Sequence, residues 1–167
     1  MSTTTTLGLR PDLALTIPLL SSSLTVFYAI MEGTVFYSFQ QAAKKDPTAT
    51  AKVMRSWWNA FFAPGITLIF AVTLPGIFGG TYVLRYFEQG SLEWNLCLAG
   101  ATFTLGHFAF APTIARVIYN ICDEKIEKQG KTMENVQRWL NIHFWRVLLA
   151  DLPALVCFSV VFAGIAG

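Results

Sequence analysis

The stretch "NIHFWRVLLADLP" (residues 141–153) sets His143, Arg146 and Asp151 inside the last long apolar run of the chain. A charged side chain near the centre of a membrane helix costs ~2.5–3.5 kcal/mol. Three ionisable groups in nine residues therefore imply an inward face, with partners on other helices or a ligand between them. Only 13% of the 167 residues are charged and 54% are hydrophobic, with a mean hydropathy of +0.50. That charged fraction is about half the ~25% of a soluble domain.

Four apolar stretches approach or exceed the ~20 residues that cross a ~30 Å hydrocarbon core. They cover about 13–39, 61–84, 92–119 and 142–166. The first continues past "LALTIPLL" and "SSS" through "VFYAIMEGTVFYSF", which reads as a retained span rather than a cleaved leader. The preceding "STTTT" is polar and expected to be disordered. Loop 40–60 carries Lys44, Lys45, Lys52 and Arg55, and loop 120–141 carries Lys125, Lys128, Lys131 and Arg138. By the positive-inside rule both loops face the cytosol and both termini the lumen or exterior. The economical architecture is a single all-α domain, an up-down-up-down bundle of four transmembrane helices. In the first loop, Pro47 is expected to end helix 1, and residues 48–58 to form a short interfacial helix. In the second, Gly130 interrupts the helical spacing, and Thr132 and Asn135 offer alternative N-caps.

A net charge of +2, scattered along the chain, excludes a nucleic-acid surface. Cys97, Cys122 and Cys157 are odd in number and far apart, so neither a disulfide framework nor a zinc site is expected. At ~100° per residue, Ser21, Thr25, Tyr28 and Glu32 form one polar stripe on helix 1. Gly100, Thr104, His107 and Ala111 share a face of helix 3, and Trp139, His143, Arg146, Ala150 and Pro153 share one on helix 4. Asp151 falls ~140° from Arg146 on a regular helix, so the two are not expected to pair. Depth along the helices, at ~1.5 Å per residue, matches Glu32 with Arg146 and His107 with Asp151, and leaves His143 at the mouth of a cavity. Pro64, Pro75, Pro112 and Pro153 each remove a backbone donor, and the resulting kinks favour a pocket between the helices.

The motifs around these residues belong together. "RWLNIHFWRVLLADLPALV" places Trp139 seven residues before Arg146, and "FAPTIARVIYNICDEKI" joins Pro112 to Asn120 at the close of helix 3. "EGTVFYS" gives helix 1 a small-residue segment, and tryptophan, proline and glycine stand near the start of helix 2. Over nearly its whole length the chain thereby resembles the anthrone oxygenases, small four-helix membrane proteins. Pro112, Asn120, Trp139, Asn141 and Arg146 carry over from that resemblance. Glu32 beside Gly33, and Asp151 to Pro153 within helix 4, depart from it.

The resemblance implies a tailoring enzyme of fungal polyketide biosynthesis that oxidises an anthrone to an anthraquinone with O2. The expected location of this multi-pass chain is the endoplasmic reticulum or another endomembrane. No dinucleotide loop or haem-attachment motif is present, and the His and acid spacing matches no standard metal motif. No metal or cofactor is expected, with O2 as the co-substrate. In this chemistry His143 or His107 is the base, Arg146 steadies the oxyanion, and Glu32 or Asp151 orients a neighbour. Tyr28, Trp57, Asn59, Asn141 and Trp145 are the expected substrate-binding residues. The expected partners are a hydrophobic aromatic small molecule and the bilayer, with self-association left open. Two other readings use the same scaffold: a cyclase or isomerase with Glu32 or Asp151 as acid, and a non-enzymatic four-span protein.

Overall fold

A computed structural model of the chain describes residues 10–166; the "STTTT" run lies outside them. Among the described residues every regular element is helical. Helix α1 (Pro11–Ala43) turns at residues 44–46 into α2 (Pro47–Val83). After a connection at 84–91 come α3 (Leu92–Gly106), a 3-10 turn (His107–Phe110) and α4 (Ala111–Cys122). Short α5 (Glu124–Lys128) leads to α6 (Thr132–Arg146), a π-helical turn (Val147–Asp151) and α7 (Leu152–Ala166). These run as four spans, each long and apolar enough to cross a membrane, in an antiparallel four-helix bundle. The first span packs on the second and fourth, and the third packs on the same two.

Two loop expectations change. Pro47 begins α2 rather than ending α1: at the first position of a helix its missing N–H is no loss. Asp46 caps that end, its carboxylate accepting from the Ala49 N–H at 2.9 Å. Residues 47–60 are therefore the opening turns of α2, not a loop with a separate helix. The second correction concerns α6, where Lys131 occupies the N-cap without a side-chain cap bond, and neither Thr132 nor Asn135 takes that role. Asn135 instead accepts from Asn120 at 3.2 Å and donates to the Lys131 carbonyl. Gln40 donates to the Met133 carbonyl at 2.8 Å, and an Arg55–Glu127 ion pair ties α2 to α5.

The bundle has two cores. At the end where α1 begins and α7 finishes, Leu15, Val83, Cys97, Phe158 and Val161 form an apolar core, with Tyr82 and Tyr86 packed against it. A Cβ on Gly100 would stand 2.7 Å from the Phe158 ring, and one on Gly80 2.8 Å, so only glycine leaves room for that ring. At the other end Phe36, Met54, Trp58, Val136 and Trp139 form an aromatic core. Between the two, Ser21 donates to the Val72 carbonyl at 2.5 Å, and Gly76 grants it space. Half of the expected polar stripe on α1 thus fastens α1 to α2. The three cysteines are free.

Candidate functional site

Two prolines shape the middle of the bundle. Pro112 offers no N–H to the Phe108 carbonyl, and the third span relaxes into a 3-10 turn at His107–Phe110. Pro153 likewise offers none to the Leu149 carbonyl, and the fourth span widens into a π turn, in which the Leu152 N–H reaches the Val147 carbonyl. Five residues of regular helix would leave Asp151 on the far side from Arg146. The i→i+5 turn brings it back over Arg146 instead.

The expectation that Arg146 and Asp151 would not pair is thereby corrected: Arg146 Nε donates to Asp151 Oδ2 at 3.3 Å. The other oxygen of the same carboxylate lies 2.8 Å from His107 Nδ1. With Asp151 ionised, His107 Nδ1–H is the donor, and Nε2 keeps the lone pair that a base needs. Arg146 Nη2 stands 3.9 Å from Glu32 Oε2, and His143 Nδ1 is equally far from that oxygen. The structure therefore forms both expected pairs, Glu32 with Arg146 and His107 with Asp151. It also joins them into one chain through the Asp151 carboxylate.

His107, Arg146 and Glu32 face a cavity of about 270 Å³ between the spans. Its remaining wall is apolar: Phe61, Phe62, Ile66 and Phe70 from α2, and Phe108, Ala111, Ile114 and Ala115 from the third span. Tyr28, Trp58 and Trp139 complete it. The Tyr28 hydroxyl interacts electrostatically with the Glu32 carboxyl without closing a hydrogen bond. Trp58 Nε1, Trp139 Nε1 and Arg146 Nη2 have no hydrogen-bond partner, on side chains that are only 4%, 2% and 5% exposed. Each such buried donor costs about 1–3 kcal/mol until something accepts from it.

The other expected residues sit elsewhere. His143 is not at the mouth but buried behind the wall, stacked on Trp139 at 4.5 Å. Its Nε2 lies 2.8 Å from the Ala29 carbonyl and, as the only group there with a proton to give, donates to it. Asp151 is behind the wall too. Trp57 packs against Phe61 at 4.4 Å without lining the cavity. Asn59 and Asn141 are exposed, their side chains bonded to the Arg55 carbonyl and to Gln137. Trp145 is 52% exposed, as expected of a ring against lipid. Helical rotation explains all three, since positions 59, 141 and 145 point away from the faces of Trp58 and Arg146.

Trp58 is a wall residue that sequence reasoning missed, and Trp139, expected on the Arg146 face, is a second without an expected substrate role. Helical spacing could have found the first, because Trp58, Phe61, Gly65 and Ile69 recur on one side of α2. Among the described residues no three His, Cys, Asp or Glu side chains gather as a metal site.

Comparison with known proteins places three enzymes near this chain. It is 24% identical to the epoxidase pydX of Acremonium sp over 148 residues, 85% of this chain and 87% of that one. The probable epoxidase scpX of Mollisia scopiformis is 26% identical over 149 residues, 85% and 89% of the two chains. The epoxidase gkaX of Penicillium citrinum is 26% identical over 145 residues, 84% and 87%. No family model matches the chain, and no solved structure does.

Proposed function

We propose that this chain is an integral-membrane oxidative enzyme of secondary metabolism, which reacts an apolar small molecule with O2. The observation that carries this reading is a buried Glu32–Arg146–Asp151–His107 chain at the inner wall of an otherwise apolar cavity. A plain membrane anchor needs no such group of charges, each costly in hydrocarbon. Likeness to three proteins named epoxidases, over most of the chain, supports an oxidative reaction.

His107 is the base, held in one tautomer by Asp151, which is a positioning residue. Arg146 is the cation beside which negative charge develops on the substrate, worth far more in a dry site than in water. Deprotonating a carbon flanked by conjugation gives an electron-rich anion that O2 can oxidise. For an anthrone, loss of a methylene proton gives the anthrolate. Electron transfer to O2 and recombination form a peroxide, which loses water to leave the quinone, so one O2 is consumed and no reductant is required. Epoxidation of an alkene is the other oxidative outcome, and the names of the three relatives favour it. It consumes O2 with two electrons and two protons, which an external two-electron donor such as NADPH has to supply. We place the basic ends of the spans in the cytosol and the protein in an endomembrane, with no cofactor of its own.

Membranes containing the protein are to be incubated with anthrones and with conjugated alkenes, under isotopically heavy O2, with and without NADPH. Heavy oxygen in a quinone or an epoxide, lost in Arg146→Ala, is the expected result; NADPH dependence separates the two products. Conversion without heavy oxygen, from correctly inserted protein, would replace this reading with the cyclase or isomerase.

A further inference from the structure

The cavity reaches the outside of the bundle along one side. Its outer wall is formed by Phe62, Ile66 and Phe70, which are 41%, 39% and 44% exposed on α2, and by exposed Ala111 and Ala115 on α4. These lie within the second and third spans, on a surface that faces hydrocarbon rather than water. The opening is therefore a lateral slot between α2 and α4. One end is closed by Phe70, which stacks across it on Phe108 at 5.2 Å. Beyond that closure the slot is flanked by small residues. Gly65 is held to its size, because a Cβ there would stand 2.6 Å from the Phe61 ring.

The two walls differ in chemistry. The outer one is hydrocarbon, and the inner one is lined by Trp58 and Trp139, whose indole N–H groups make no hydrogen bond, and by Arg146, whose Nη2 has only the Glu32 carboxylate at 3.9 Å. A ligand that satisfies both has hydrogen-bond acceptors at one end and an apolar body at the other. At about 270 Å³ the cavity lies just below the ~300–1,000 Å³ of usual small-molecule sites. A larger substrate must leave part of its body in the slot.

We infer that the α2–α4 slot is a lateral portal through which a lipophilic molecule, bearing carbonyl or ionised hydroxyl oxygens at one end, enters from the bilayer acceptor end first. Gly65, Ala111 and Ala115 set its width. Calling that molecule the substrate rests on the oxidative reading above; the portal itself does not.

The full chain, reconstituted in phosphatidylcholine nanodiscs, carries Trp94→Phe and Trp145→Phe so that emission comes from Trp57, Trp58 and Trp139. A brominated anthrone dissolved in the bilayer is the probe, since bromine quenches indole at contact. Strong quenching is expected, severalfold weaker in Ala111→Phe and Ala115→Phe and unchanged in Val156→Phe, a lipid-facing control on α7. Ile66→Ala opens the slot without adding bulk and is expected to strengthen quenching even if the phenylalanine variants fail to insert. Equal quenching in the plugged variants and the parent, or none in the parent, would overturn the portal. Quenching needs no turnover. Slot-dependent quenching by a protein that oxidises nothing keeps the portal and sinks the oxidative reading, whereas turnover with a KM insensitive to Ala115→Phe does the reverse.

Discussion

The two ends of this bundle solve the packing of four apolar helices in opposite ways. Around Phe158 the helices approach so closely that Gly80 and Gly100 cannot carry a methyl group, and the contact is made by apolar side chains. Close approach over small residues is what holds membrane helices together where the surrounding lipid is as apolar as the core. Around Trp58 and Trp139 large rings keep the helices apart, and the space between is edged by charges and unpaired donors. Close packing around Gly80 and Gly100 is expected to carry stability and the polar wall of the cavity to carry chemistry, so substitutions at the two ends are expected to fail in different ways.

The largest effect is expected at Arg146, which alone touches Asp151, the Glu32 side and the cavity. Arg146→Ala is expected to lower kcat by about 10²–10³-fold, the usual loss of one charge-stabilising donor. Turnover in membranes with insertion checked by protease protection measures it. A variant within a few-fold of the parent would make the polar end mere architecture. Asp151→Asn is next. It keeps the shape of the carboxylate but supplies an amide where His107 and Arg146 each need an acceptor, for a loss of about 10²-fold. A pH–rate profile tells a positioning role from simple damage, because the limb belonging to His107 should move.

At the dry end, Gly100→Ala is expected to destabilise the fold by about 1–3 kcal/mol through overpacking against Phe158. Thermal unfolding in detergent reads this, with the turnover of the surviving folded fraction unchanged. Lost turnover at full stability would contradict the division between the two ends. Pro153→Ala sharpens the same contrast, because it can restore a regular helix. Asp151 would swing off Arg146, for a roughly 10-fold drop in kcat with no loss of thermal stability, since a proline in a helix interior is itself unfavourable by ~3 kcal/mol. The smallest effect belongs to Glu124, exposed on α5 and held below the ordinary carboxylate range chiefly by a hydrogen bond from Lys128. A lowered carboxyl contributes above its unfolded pKa and loses that contribution as pH falls through the folded value. Solvent screens this pair, so Glu124→Gln should leave the melting temperature unchanged at pH 7 and at pH 3 alike.

Much of this was legible from residues alone, for a physical reason. Apolar runs of span length leave few options in a bilayer, so the four helices and their antiparallel order could be read directly. Cost in hydrocarbon also singled out Glu32, His107, Arg146 and Asp151, since a charge in a span must turn inward. Counting turns from each end of the spans then matched the pairs that the structure forms. Asn141, suggested by the resemblance, and Asn59 and Trp145, beside Trp58 and Arg146 in the chain, are sent outward by helical rotation. His143 was placed by depth alone, which says nothing of the stacking on Trp139 or the Ala29 carbonyl that keep it behind the wall.

The sequence by itself determined which residues had to be inside and roughly how deep, because hydrophobic length and the cost of charge are local properties of a helix. Only the tertiary structure decided that Asp151 sits over Arg146. That depends on a π turn beside Pro153, and one residue of altered winding moves every later side chain by a large fraction of a turn. Likewise, the cavity between α2 and α4 is walled by side chains from all four spans. No single span carries that information.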